Sequence, residues 1–211
     1  MLGDLSAKYE SNGDPGCIST GYNDPGGKSY GMYQFSSKAG TLTEYVSWLQ
    51  HNGYWFGQEL AKYEPASADF DSAWTWIANG ENRDDFAASQ HAFIKATFYD
   101  PAVQILREHG WDIDKHSYVM QDVVWSRAVQ YGVGNIAEMW EDACHAMYNI
   151  NHGEFVGYPN LTYIDDARFD YDLITAIYLK VCSSEEWNSS SLRDSLNQRF
   201  ESECNDAIAR L

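Results

Sequence analysis

Two carboxylates stand where an acid–base pair would be useful. Glu10 closes a short stretch, residues 4–10, in which Leu5 and Tyr9 recur at helical i, i+4 spacing, and it opens onto a Gly/Pro-rich segment. Asp24 follows in Asn23-Asp24-Pro25-Gly26. Two such acids can cleave a glycosidic bond: one protonates the leaving oxygen, the other activates a water or forms the intermediate. The donor must hold its proton near neutral pH, which calls for an apolar, partly closed pocket. Tyr9, Ile18, Tyr30, Met32, Tyr33 and Phe35 are near enough in sequence to build one. The base needs polar, solvated surroundings, and a turn supplies them. Each acid also has a plainer reading: Glu10 as a helix-end carboxylate with a local hydrogen bond, Asp24 as an ordinary turn residue.

Elements that must position these acids follow from spacing and punctuation. Between Ser11 and Ser37, glycines and prolines at 13, 15, 16, 21, 25, 26, 27 and 31 forbid a long helix and predict turns with at most short strands. Helices then take over. Thr41 is expected to cap one running to about Gln50 and ended by Asn52-Gly53. Others are expected near 56–63, 69–78 and 84–98. Asp100-Pro101 opens another that ends at His109-Gly110. Ser117 caps one reaching Tyr131, Gly132-Val133-Gly134 breaks it, and 135–149 resumes before a loop over 150–165. Near the end, Leu192, Leu196, Phe200, Cys204 and Ile208 form an apolar row. Its plain reading is docking onto the body of the domain, its second a partner surface. The pattern is mainly α, with one small Gly-rich lobe near the N-terminus.

Composition narrows the function classes. The 211 residues are 44% hydrophobic and 21% charged, enough to bury a core without disulfides. Tyr (15), Phe (9) and Trp (8) are abundant, and Tyr and Trp suit both a core and a wet groove that stacks on sugar rings. A net charge of −17 argues against nucleic acid and against anionic membranes as partners. No apolar run spans a bilayer, and Met1-Leu2-Gly3-Asp4 lacks the basic start and apolar core of a secretion signal. The expectation is a chain that stays in the cell making it, leaves by lysis or in a particle, or is cut from a longer protein. Cys17, Cys144, Cys182 and Cys204 form no CxxC pair and are expected as reduced thiols, with one Cys182–Cys204 disulfide left open. Cys144 and His145 are adjacent on a helix, so their side chains diverge. HExxH, GxSxG and phosphate-loop patterns are absent, and no metal or cofactor is expected.

Three blocks carry a resemblance. Glu10-Ser11-Asn12-Gly13-Asp14-Pro15-Gly16-Cys17-Ile18-Ser19 resembles the E-S-x-x-x-P-x-A-x-S segment of soluble lytic transglycosylases and goose-type lysozymes, with Cys17 in place of Ala. Lys28-Ser29-Tyr30-Gly31-Met32-Tyr33-Gln34 is similar to their G-x-x-G-L-M-Q block, keeping Gly31 and Gln34. Ala128-Val129-Gln130-Tyr131-Gly132-Val133-Gly134-Asn135-Ile136 is similar to A-Y-N-A-G-x-G-x-V, with Val129 for Tyr and Gln130 for Asn. The resemblance covers about residues 5–150 and implies a mainly α, α+β lysozyme-like fold: a helical bundle whose small Gly-rich N-terminal lobe forms a substrate groove, with a catalytic domain over 1–150 and a helical extension, 151–211, packed on it. It implies a peptidoglycan-degrading muramidase that cuts the β-1,4 bond between N-acetylmuramic acid and N-acetylglucosamine, of the kind found in phage endolysins or tail-associated domains. Glu10 falls on the catalytic acid and Asp24 near an acid that positions water. Ser19, Tyr30, Gly31, Gln34, Gln130 and Tyr131 fall on the substrate-binding groove, Gln34 at the sugar's acetamido group. The alternatives are a lytic transglycosylase with 1,6-anhydro products, a non-catalytic glycan-binding or structural phage-tail module, and a chitosanase-like or chitinase-like enzyme. The implied partner is the glycan strand of bacterial peptidoglycan, reached from the host cytoplasm or from a virion with the help of a wall-binding or phage-particle module.

Overall fold

The computed structural model describes residues 2–3, 5, 13–22, 26–149, 154–155, 157–185, 187–188 and 193–211; Glu10 and Asp24, with most of the expected 4–10 helix, lie outside them. The described chain is mainly helical. It forms two compact units, Ser6–Ala96 and Thr97–Leu211 together with Met1–Leu5. That division falls at Ala96 and Thr97, far from residue 150.

In the first unit the Gly-rich segment folds into a minimal hairpin. Strand β1 (Ser29–Tyr30) pairs antiparallel with β2 (Phe35–Ser36), in register Ser29↔Ser36 and Tyr30↔Phe35, and Ile18 adds a single bridge to Tyr30. The strands are short because the chain between them takes left-handed backbone at Gly31 (φ 75°) and Gln34 (φ 51°), which reverses it at once. Four helices follow: α1 (Thr41–His51), α2 (Trp55–Leu60), α3 (Ala68–Asn79) and α4 (Arg83–Ile94). Thr41 does not cap α1. Gly40, at φ 95°, holds the cap position, and the Thr41 hydroxyl accepts from Ser36 N at 2.7 Å instead, securing the end of β2. Ser67 caps α3, accepting from Phe70 N at 3.1 Å.

An aromatic cluster fills this unit. Tyr30 meets Phe70 and Trp74 edge-on at 5.3 and 5.2 Å, Phe35 stacks on Tyr45 at 4.6 Å, and Trp74 meets Phe86 at 4.8 Å. The buried Tyr45 hydroxyl shares a 2.7 Å hydrogen bond with Ser89 Oγ, so its polar tip is satisfied inside the core. Thus the hairpin is anchored by the same rings that hold the helices together.

A π-helical turn, Lys95–Tyr99, follows α4 where a longer α-helix was expected. The second unit contains α5 (Asp100–Glu108), α6 (Tyr118–Tyr131), α7 (Ile136–His145), α8 (Asp170–Ser183) and α9 (Arg193–Ile208). Pro101 starts α5 where its missing N–H costs nothing, and Ser117 caps α6 by accepting from Met120 N at 3.2 Å. The expected helix to residue 149 stops at His145. Strand β3 (Tyr148–Asn149) instead pairs antiparallel with β4 (Glu154–Phe155). Trp111, Trp125, Met139, Trp140, Leu173 and Ile177 are among its fully buried side chains. His116 is buried there too, stacked on Trp111 at 4.0 Å and 2.6 Å from an Asp170 carboxylate oxygen. All four cysteines are free thiols. Among the described residues no helix is long and apolar enough to cross a membrane.

Candidate functional site

The lobe that carries Ser19, Tyr30, Gly31 and Gln34 is held from below by one buried glutamine. Gln90 of α4 accepts from Met32 N at 2.8 Å through Oε1 and donates to Pro15 O at 3.0 Å through Nε2. Trp74 Nε1 donates to the same Pro15 carbonyl at 3.1 Å. A Cβ at Gly31 would lie 2.3 Å from Gln90 Oε1, so this position requires glycine for space as well as for its φ. Ser19 works on the other flank, its Oγ accepting from Ser29 N at 2.8 Å. Helix α4 therefore sets the height of the lobe, and the first two sequence blocks are tied to each other across it.

Gln34 is strained, one of two described non-glycine residues with positive φ, the other being Ala66 at φ 65°. A non-glycine side chain at φ 51° costs free energy and persists only where its surroundings enforce it. Here Gln34 Nε2 donates to Gly31 O at 3.0 Å and lies 3.5 Å from Cys17 Sγ. Among the described residues its Oε1 accepts no hydrogen bond, so the half-buried amide retains acceptor capacity. Tyr30 is fully buried, so its role is structural: its hydroxyl donates to Asp71 Oδ1 at 2.5 Å. Burial and the adjacent carboxylate hold that phenol protonated far above its ordinary range.

Asp71 is the residue that spacing did not reveal. It lies in the first turn of α3, where an acid reads as a favourable helix-dipole partner and nothing more. In the folded unit one of its oxygens binds Tyr30 and the other pairs with Lys28 Nζ, which also donates to Ala66 O at 3.2 Å. Lys28 stands where the family pattern has glycine. Its charge is thereby bound to the edge of the hairpin. Asp71 also lines an open hollow of about 650 Å³ along α3, shared with Ser72, Thr75, Trp76 and Asn79.

Gln130 and Tyr131 belong to the second unit, at the end of α6, whereas the other described site residues belong to the first. Tyr131 meets Trp187 edge-on at 5.8 Å, Phe200 at 6.3 Å, and the Arg127 guanidinium at 5.7 Å. Burial raises its hydroxyl above the ordinary phenol range. Gln130 is half-buried.

A model of the C-terminal region of type VI secretion system spike proteins similar to VgrG3 matches residues 2–204. The chain belongs to this family. Spike protein VgrG3 of the type VI secretion system from Vibrio cholerae serotype O1 is 39% identical over 132 residues, covering 62% of the present chain and 12% of that protein. The chain thus corresponds to a small part of the spike protein it matches. Membership of the VgrG3-like C-terminal family corrects the lysozyme-superfamily assignment, and with it the muramidase, lytic transglycosylase and phage endolysin or tail readings. The three blocks misled for a physical reason. Their matching glycines and Ser19 chiefly shape and fasten turns, a demand that unrelated chains meet alike. The family match also takes in residues 151–204, which the blocks left out.

Proposed function

We propose that the chain is the enzymatic C-terminal domain of a type VI secretion spike and that it cleaves glycosidic bonds in an amino-sugar polymer, with bacterial wall glycan as its partner. The observation that carries this reading is Gln34, kept in a costly backbone conformation with an open amide acceptor, on a lobe that is buttressed by Gln90 and Asp71, follows Glu10 in sequence and contains Asp24. Strain of this kind concentrates at sites that bind or react. In the reaction Glu10 gives its proton to the bridging oxygen as the bond to the anomeric carbon breaks. Asp24 takes a proton from the water whose oxygen closes on that carbon, so both carboxyl groups exchange roles in one turnover. Gln34 accepts from the N–H of an acetamido group. A spike that carries the domain is its route to the wall, in place of the phage-particle module expected from the blocks.

The test is release of new reducing ends from purified peptidoglycan, chitin and chitosan. The parent chain is expected to act on at least one of them. Glu10→Gln is expected to lose about 100-fold or more of that rate while unfolding at the parent's temperature. A Glu10→Gln chain as active as the parent, or a parent inert on all three polymers, would refute the proposal.

A further inference from the structure

Trp76 occupies the wrong face of its helix. Helix α3 buries Phe70, Ala73, Trp74, Ile77 and Ala78, and two residues beyond Trp74 is about 200° around the axis. Trp76 accordingly stands among the polar residues of α3, 61% exposed. Trp55, at the start of α2, is 43% exposed and meets it edge-on with ring centroids 5.7 Å apart. Three hollows share Trp76 as a wall: the 650 Å³ one beside Asp71, one of about 380 Å³ beside Glu59 and Asp69, and one of about 280 Å³ beside Trp55, Glu81 and Asn82. An indole with open space around it and hydrogen-bonding groups at its margins matches a pyranose, which has an apolar C–H face and a polar rim.

We infer that the Trp76–Trp55 ledge binds an uncharged or cationic hexosamine oligosaccharide. Charge decides among occupants. Lys62 and Lys28 neutralise Glu59 and Asp71, while Asp69 and Glu81 also line the hollows and leave them a net negative charge. This field repels phosphates, uronic acids and anionic lipid headgroups, and it accepts hydroxyl, amide and ammonium donors. An ammonium is also attracted to an indole face. A second copy of the chain is disfavoured, because a two-fold contact here would set each of these acids against a like-charged surface. Open, polar-rimmed hollows on several sides of one indole suit a sugar chain laid across it better than the continuous apolar patch that a protein partner buries. The inference rests on the glycan reading above for the class of polymer, and binding tests it independently of turnover.

The full chain carrying Glu10→Gln, which leaves the ligand uncut, is titrated with hexamers of N-acetylglucosamine and of glucosamine, following tryptophan fluorescence and heat. Saturable binding is expected with at least one hexamer. Trp76→Ala weakens it by about tenfold or more, Trp55→Ala by less, and Trp76→Tyr keeps most of it, all with the parent's circular dichroism and melting temperature. Unchanged affinity in Trp76→Ala, binding of neither hexamer, or tighter binding of a uronic-acid oligosaccharide or of oligolysine overturns the ledge. Tryptophan-dependent binding by a chain whose parent cleaves nothing supports the ledge and defeats the enzymatic proposal alone.

Discussion

At the scale of single residues, the lobe depends on positions where only one side chain fits. Gly31 is the clearest: it combines φ 75° with a Cβ position 2.3 Å from Gln90 Oε1. Gly31→Ala must either break the Gln90–Met32 bond or tilt the hairpin, and is expected to cost about 2–4 kcal/mol. Urea unfolding reads this directly, and a variant within about 0.5 kcal/mol of the parent would show that the lobe yields freely. The need for glycine at 31 was legible in the sequence, since turns of this kind announce themselves locally. Its jailer was not. Gln90 lies 58 positions from Met32, and nothing around it marks it as anything but a helix residue. Asp71 was hidden in the same way, its first-turn position giving it a sufficient local explanation.

Elements of the second unit are joined by a buried arginine–glutamate pair. Arg127 of α6 and Glu203 of α9 are both fully buried and meet at 2.9 Å, with Ser126 Oγ donating to the second Glu203 oxygen. The guanidinium also lies 4.7 Å from the Phe200 ring and 4.9 Å from Tyr178. Removing one partner strands a charge in a medium that cannot solvate it. Arg127→Met is therefore expected to cost about 3–5 kcal/mol, and the double change Arg127→Met with Glu203→Leu to recover most of that loss. Denaturant midpoints of the two single variants and the double one form the cycle, and additive losses would contradict the coupling. The last helix also shows why an apolar row misleads. Steps of four residues advance 400°, so the row Leu196, Phe200, Cys204, Ile208 winds off the buried face by about 40° per step. Burial instead centres on Phe200, Glu203 and Ala207, with a charged residue at its middle. The row's plain reading, docking on the body, holds: besides lying against α8, the helix contacts α6 through the Arg127–Glu203 pair.

For the molecule as a whole, protons held by burial set its alkaline limit. Burial pushes the Cys144 and Cys204 thiols up to about 11 each, and the buried Tyr45 and Tyr178 hydroxyls well above their usual range. In the unfolded chain thiols ionise near about 8.5 and phenols near about 10. As pH rises the unfolded state therefore loses protons first. Stability is intact below about pH 8 and falls between about pH 8.5 and 11. Urea midpoints at pH 7.5, 9 and 10.5 should decrease in that order, and a constant midpoint would exclude the linkage. The net charge of −17 fits the same scale. A charge of this sign repels anionic polymers and does not draw them to the domain.

The sequence by itself determined what depends on a few neighbouring residues. Turn chemistry between 11 and 37, the proline start at 101, the serine cap at 117 and the glycine stop at 132 are choices of φ, ψ and end hydrogen bonds, settled within about one helical turn. It also placed most of the helices, because their apolar periodicity repeats over several turns. Tertiary structure alone decided the β3–β4 pairing, the division at residue 96, the burial of Tyr30, the link from Lys28 and Tyr30 to Asp71, and the exposure of Trp76 opposite the buried Trp74. These are pairings of groups far apart in the chain. A buried donor takes whichever acceptor the folded core brings within 3 Å, and no local preference names it in advance.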